Sequence, residues 1–206
     1  MHIITPLPGV FSPRSDTWLL AEIVRRQDAL EGADVLELGT GSGAIAVAAA
    51  KGGARRVTVV DVSRRALATA ALNARINGVR LVPRRGDLFA PVDGERFDIV
   101  VSNPPYLPGD GIPARGAARA WEGGPDGRSI LQRICSNVAR HLKPGGTVLL
   151  VHSSVNGVWR TLDELEQAGL RADVIARERG RLGPLLAERM PDLDEEDICV
   201  VRGRLP

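Results

Sequence analysis

Cysteine is scarce: only Cys135 and Cys199 occur in 206 residues, far apart and outside any Cys-x-x-Cys pattern. That spacing excludes a disulfide framework and suggests no zinc site, so both read as buried thiols. Net charge is scarce as well. Lys and Arg number 27 against 25 Asp and Glu, a formal balance of +2 that is too even to mark a nucleic-acid binder by charge alone. No apolar run approaches the roughly 20 residues that span a bilayer. The start, MHIITPLPGV, lacks a charged region followed by an apolar core. These absences predict a soluble, cytoplasmic protein without membrane contact. The three histidines, His2, His141 and His152, form no recognisable acid/base pattern, and only His152, at the end of an expected strand, could face a cleft. With 44% hydrophobic residues, the length suits one domain spanning residues 1–206.

What is present is a repeated strand, turn and helix grammar. Leu20, Ile23, Val24 and Leu30 recur at approximately helical spacing after Ser15 and Asp16, two candidate N-caps, which predicts a helix over residues 16–30. Short apolar runs predict strands over residues 33–38, 56–61, 79–83, 97–102 and 147–152, with two last strands over 171–177 and 198–202. Helices are expected between them over residues 44–50, 63–76, 126–142 and 158–168. Asp126 is the candidate cap of the fourth helix, which Lys143-Pro144-Gly145-Gly146 should end. Alternation of this kind implies an α/β fold with a mostly parallel sheet covered on both faces and a ligand cleft at the carboxyl ends of its strands. Residues 104–125, rich in Pro and Gly, are too long for a simple connection and read as a substrate-side loop.

The segment Glu37-Leu38-Gly39-Thr40-Gly41-Ser42-Gly43 places three glycines between a strand and a helix, so the backbone can turn tightly and approach a ligand. Asp61, about 20 residues on, ends the next strand where a carboxylate can hold both ribose hydroxyls, with Val62 beside it; its alternative role is to cap the following helix. Asp87 and Leu88 follow the third strand, the first placed for the exocyclic amine of an adenine and the second for the ring; a turn-stabilising role is the alternative for Asp87. These spacings suit a nicotinamide dinucleotide or S-adenosylmethionine. Two features favour the latter. A carboxylate at Glu37 answers a cationic methionine moiety but would repel a pyrophosphate, and the glycine spacing is Gly-x-Gly-x-Gly rather than the dinucleotide pattern.

The fourth strand ends in Ser102-Asn103-Pro104-Pro105-Tyr106. Two prolines fix φ and remove two donors, leaving carbonyls that can only accept. The Asn103 side-chain oxygen and the Pro104 carbonyl can take both hydrogens of an NH2 group, while Tyr106 stacks on a planar acceptor. Here the chain resembles the class I methyltransferases that carry the Asn-Pro-Pro-Tyr motif, and among them the HemK-like protein glutamine N5-methyltransferases in their compact form, without the N-terminal helical domain. Two further stretches support the resemblance: Pro13-Arg14-Ser15-Asp16-Thr17 upstream and Trp121-Glu122-Gly123-Gly124-Pro125-Asp126-Gly127 downstream. Phe11 stands where the family usually has tyrosine, and Ser15 where it has an acidic residue.

The resemblance implies a Rossmann-like fold of seven strands with the last antiparallel, S-adenosylmethionine as cofactor, and cofactor contacts from Asp16, Thr17, Glu37, Gly39, Thr40, Gly41, Gly43, Asp61, Val62, Asp87, Leu88 and Asn103. It implies that residues 1–30 close over the cofactor, and that Asn103, Pro104, Pro105 and Tyr106 handle the acceptor, a release-factor glutamine. It also implies that a small zinc-binding activator can add along an edge strand. The edge expected here, residues 79–83 followed by Arg84 and Arg85, carries proline and charge that oppose such addition, which favours a stand-alone enzyme. Methylation of a nucleic-acid base, with Arg84, Arg85, Arg115, Arg119 and Arg128 as contacts, methylation of a small metabolite under a lid near residues 108–119, and a non-catalytic cofactor-binding partner subunit, against which the intact Asn-Pro-Pro-Tyr run argues, are the competing readings.

Overall fold

The computed structural model describes residues 1–5, 7–109, 111 and 120–206. Seven strands form one sheet: β1 Asp34–Leu38, β2 Arg56–Asp61, β3 Val82–Arg85, β4 Phe97–Ser102, β5 Leu142–Ser153, β6 Arg171–Arg181 and β7 Glu195–Arg204. Their spatial order is β3-β2-β1-β4-β5-β7-β6, with β7 antiparallel to both neighbours and the remaining pairs parallel. The helices are α1 Ser15–Arg25, α2 Ala44–Lys51, α3 Arg64–Ile76, α4 Ser129–Val138, α5 Val158–Gln167 and α6 Pro184–Arg189.

Side-chain alternation along the central strands divides the core in two. Val35, Val59, Ile99, Val101, Leu149 and Val151 pack with Leu20 of α1 and Ile45 of α2. Leu36, Leu38, Val100, Val148 and Leu150 point the other way, onto Leu131 and Ile134 of α4 and Leu165 of α5. Burial on both faces explains why these strands read as continuous apolar runs. Replacing one such leucine with alanine costs roughly 2–5 kcal/mol. Among the described residues, no helix is long and apolar enough to cross a membrane.

Several boundaries differ from expectation. The third strand starts at Val82, because residues 79–81 turn out of α3 behind Gly78 (φ 70°), and so Pro83, Arg84 and Arg85 lie within the edge strand. Ser15 and Asp16 sit in the first turn of α1 and do not cap it from outside; Arg14 holds that position, its N–H donating to Thr17 Oγ1 at 3.4 Å. Asp126 accepts the N–H of Arg128 at 3.0 Å, one residue before α4 begins. The Lys143–Gly146 turn belongs to β5 as an irregularity: the pairing with β4 jumps from Phe97↔Leu142 to Ile99↔Thr147. The last two strands form a longer hairpin than periodicity suggested, and α6 fills its tip.

The order of strands reverses between β1 and β4, which opens a crevice at their carboxyl ends. The Ser102 hydroxyl fastens the two ends together by donating to the Leu38 carbonyl at 2.9 Å. The N-terminal segment reaches this crevice along α3. Asn73 and Asn77, one turn apart, each bond both ways to backbone: Asn73 to Ile4 and Asn77 to His2, at 2.6–2.9 Å.

Candidate active site

Two cavities meet at the crevice. The first is lined by the loop after β1 (Gly39, Thr40, Gly41), by Glu37, Asp61 and Val62, by Asp87 and Leu88, and by Thr17 and Asn103. Gly9, Val10, Phe11 and Pro13 close its outer side. Gly39, Gly41 and Gly43 all have positive φ, between 52° and 78°, which is the backbone the glycine pattern was expected to provide. A Cβ on Gly39 or Gly41 would meet nothing within 4 Å, so this stretch of backbone borders open space where a ligand can approach.

Glu37 is 2% exposed. Its Oε2 accepts the Thr40 hydroxyl at 2.5 Å and the Ala46 N–H at 3.2 Å. Burial raises its carboxyl to about 8, against the lowering effect of those two bonds. An arriving cation offsets that desolvation, which suits the charge of S-adenosylmethionine. Asp61 accepts the Gly41 N–H at 3.0 Å and the Ser63 N–H at 2.8 Å, bracing the glycine loop. Ser63, not Asp61, caps α3, its hydroxyl accepting the Ala66 N–H at 3.3 Å. Leu88 is the one non-glycine described residue with positive φ, at 48°, and Asp87 forms a two-pronged ion pair with Arg133 of α4.

The second cavity is lined by Asp16, Asn103, Tyr106, Trp121 and the β6–β7 hairpin with α6. Phe11, Asn103, Pro104, Pro105 and Ala120 border both cavities, so the Asn-Pro-Pro run forms the partition between them. The first turn of α1 straddles the partition: Thr17 lines the first cavity and Asp16 the second. Asp16, read from sequence as a cofactor contact, is 5% exposed and accepts two bonds at Oδ2, from Asn103 Nδ2 at 3.1 Å and from the Tyr106 hydroxyl at 2.9 Å. Burial and this carboxylate together hold the Tyr106 phenol well above its ordinary value, so it stays a donor.

Sequence reasoning missed the support behind this loop. Asn156, 3% exposed, donates to the Tyr106 carbonyl at 2.7 Å and to the Asp126 carbonyl at 3.2 Å. Arg128, 4% exposed, donates to the carbonyls of Asn156 and Gly157, to Thr161 and to Glu164. Arg128 is therefore an internal brace, contrary to its reading as a nucleic-acid contact. The Trp-x-Gly-Gly segment runs beside the same loop: Leu107 N–H donates to the Trp121 carbonyl and Gly123 N–H to the Leu107 carbonyl, both at 2.8 Å. A Cβ on Gly127 would lie 2.1 Å from the Tyr106 carbonyl oxygen, which explains the glycine there. Arg189 of α6 closes the rim by donating to the Pro108 carbonyl and pairing with Glu122. No local signal marked Asn156 or α6, since their roles depend on contacts with residues 30 or more positions away.

His152 is fully buried, with Nδ1 3.0 Å from the Ser153 carbonyl, and burial lowers it to about 4; it lines neither cavity. Arg84 and Arg85 line neither cavity, and Arg115 and Arg119, with most of the expected lid over residues 108–119, lie outside the described residues.

Residues 2–180 match the family described as methyltransferase small domain. The chain is 36% identical over 172 residues to a candidate protein N5-glutamine methyltransferase of Methanocaldococcus jannaschii, covering 82% of this chain and 85% of that one. It is 39% identical over 160 residues to the release factor glutamine methyltransferase of Moorella thermoacetica, covering 73% of this chain but only 56% of the relative. Among solved structures it is similar to the E. cuniculi Mtq2–Trm112 complex, responsible for methylation of the eRF1 translation termination factor, with TM-score 0.70, 26% identity, and 96% and 99% of the two chains covered.

Proposed function

Because the chain belongs to the methyltransferase small domain family and is an S-adenosylmethionine-dependent methyltransferase of HemK-like type, we propose that its acceptor is the side-chain amide of a protein glutamine, of the release-factor Gly-Gly-Gln kind. The observation that carries this reading is the partition. Asp16 accepts from the Asn103 amide nitrogen, and so turns the Asn103 Oδ1 away to serve, with the Pro104 carbonyl, as a pair of acceptors between the two cavities. An amide NH2 offers two hydrogens to such a pair.

When bound, S-adenosylmethionine supplies an electrophilic methyl on a cationic sulfur, which leaves as a neutral thioether as the new carbon–nitrogen bond forms. Glu37 and the glycine loop hold its methionine end, Asp61 and Val62 its ribose, and Asp87 and Leu88 its adenine; residues 1–30 cover it, within a single domain over residues 1–206. An amide nitrogen is a weak nucleophile because its lone pair is delocalised. Asn103 and Pro104 address that obstacle by fixing the NH2 geometry and favouring rehybridisation, and the displaced proton passes to water. Tyr106, held by Asp16 and Asn156, presents its ring to the planar amide. The E. cuniculi relative is assembled with Trm112. The β3 edge here is four residues long and contains Pro83, Arg84 and Arg85, which favours an enzyme that works without a strand-adding partner.

The test is to supply methyl-labelled S-adenosylmethionine and a cell lysate to the purified chain and to map labelled peptides by mass. Label on a glutamine supports the proposal. Label in nucleic acid or in the small-molecule fraction overturns the acceptor.

A further inference from the structure

Glu196 sits on β7, opposite Gly180 of β6, and lines the second cavity with Asp16, Asn103 and Tyr106. It is 9% exposed. Oε1 accepts a long bond from Gly183 N–H at 3.4 Å, while Oε2 is buried and has no hydrogen-bond partner among the described residues. The acids on either side are paired, since Arg179 bridges Glu195 and Asp197, but among the described residues Glu196 forms no ion pair. A buried carboxylate oxygen without a donor is costly, and a protein that keeps one at the wall of a binding cavity has a donor arriving there.

We propose that Glu196 is a specificity residue that accepts a backbone N–H of the peptide segment carrying the acceptor glutamine. The proposal rests on the glutamine reading above. Asp16 cannot serve instead, because Asn103, Tyr106 and Thr17 occupy it. The charged residues lining the cavity balance, Arg14, Arg179 and Arg181 against Asp16, Glu178 and Glu196, so the wall carries no net excess of carboxylate that would call for a cationic partner. A neutral peptide N–H suits such a wall, and an extended or turning peptide that feeds a glutamine towards Asn103 has flanking N–H groups within a residue of the reacting side chain.

The experiment is a cycle between enzyme and peptide. A short Gly-Gly-Gln peptide is compared with a set in which one backbone N–H at a time, at the glutamine and its two neighbours, is replaced by N–CH3. Wild type, E196A and E196Q are assayed for KM and kcat, with S-adenosylmethionine affinity and melting temperature as controls. A hydrogen bond to a charged group of this kind corresponds to a loss of about tenfold to a hundredfold in KM in E196A. The expected kcat stays within about twofold, cofactor affinity is unchanged, and E196Q, which keeps a neutral acceptor, falls between. One N-methyl peptide should lose the same factor with wild type and lose nothing further with E196A. An unchanged KM in E196A, or N-methyl penalties that persist undiminished in it, overturns the inference alone. A wild-type enzyme inert towards every glutamine peptide overturns the glutamine reading and this inference with it.

Discussion

Asp16 and Asn103, 87 positions apart in the chain, meet through one hydrogen bond of 3.1 Å, from the amide nitrogen of Asn103 to Oδ2 of Asp16. A carboxylate can only accept, so this contact sets which end of the Asn103 amide faces the partition. The Thr17 hydroxyl, 3.2 Å from the same nitrogen, lies on that side too. Asp16→Ala leaves the amide free to turn its NH2 towards an incoming NH2, a donor facing a donor. The expected result is a kcat lower by roughly ten- to a hundredfold, with cofactor affinity changed by less than about threefold. Steady-state methyl transfer and equilibrium binding of S-adenosylmethionine distinguish this from a cofactor role, in which affinity would fall first. Asn103→Ala should abolish most turnover and likewise spare cofactor binding.

Glu37 gives a pH prediction with a definite sign. Its carboxyl is raised by burial to about 8 from 4.5 in an exposed group, so at pH 6.5 the empty enzyme holds a proton there. A bound cationic cofactor favours the ionised form, and binding at pH 6.5 should release close to one proton. Calorimetry in two buffers of different ionisation enthalpy measures this directly. Glu37→Gln should bind more weakly and release none. The same shift means that the folded apo-protein holds a proton the unfolded chain gives up between pH 4.5 and 8, so this group's contribution to stability declines as pH rises through that window.

The opposite sign applies to His152. Burial lowers it to about 4 from 6.5, so the unfolded chain gains a proton that the folded chain refuses as pH falls from 6.5 towards 4, and stability declines in that direction. His152→Asn keeps a donor near the Nδ1 position, for the Ser153 carbonyl, and removes the titration. Its denaturation midpoint should vary less with acid over that range, while methyl transfer at neutral pH is retained, because the ring lines neither cavity. A large loss of turnover at full stability would restore a catalytic role to this residue.

The parts of the molecule that were legible in the sequence are those governed by short-range rules. The glycine turn after β1, the double proline after β4 and the apolar runs of the central strands each act within a few residues, and each lies where it was expected. Function written across the fold was not legible. Asp16 is next to Thr17 in sequence, yet the first turn of α1 sends the two into different cavities. Arg128, in a loop rich in glycine, carries no local sign of burial, and its partners on α5 lie more than 30 positions on. The hairpin that brings Glu196 to the second cavity extends past the apolar part of β6 and β7 into alternating charges, where hydrophobic periodicity gives no strand signal.

Gly127 and Asn156 test whether the support behind Tyr106 matters for chemistry as well as for folding. Gly127 has φ 70°, and any Cβ there would collide with the Tyr106 carbonyl oxygen that Asn156 holds at 2.7 Å. Gly127→Ala must therefore push the acceptor loop away from β4 or distort its own turn. Asn156→Ala removes the bond but adds no bulk, leaving the carbonyls of Tyr106 and Asp126 without their donor. Loss of such a buried bond costs about 1–3 kcal/mol in stability. Since the Tyr106 and Pro104 carbonyls belong to one rigid run, a shift at one end displaces the other. Both variants should lower kcat by more than about tenfold at temperatures well below their melting points, with Gly127→Ala the worse of the two. Cofactor affinity should move little, because the first cavity lies on the other side of the partition. If both variants melt early but turn over normally at low temperature, the support serves folding alone and Tyr106 does not need to be held in place for transfer.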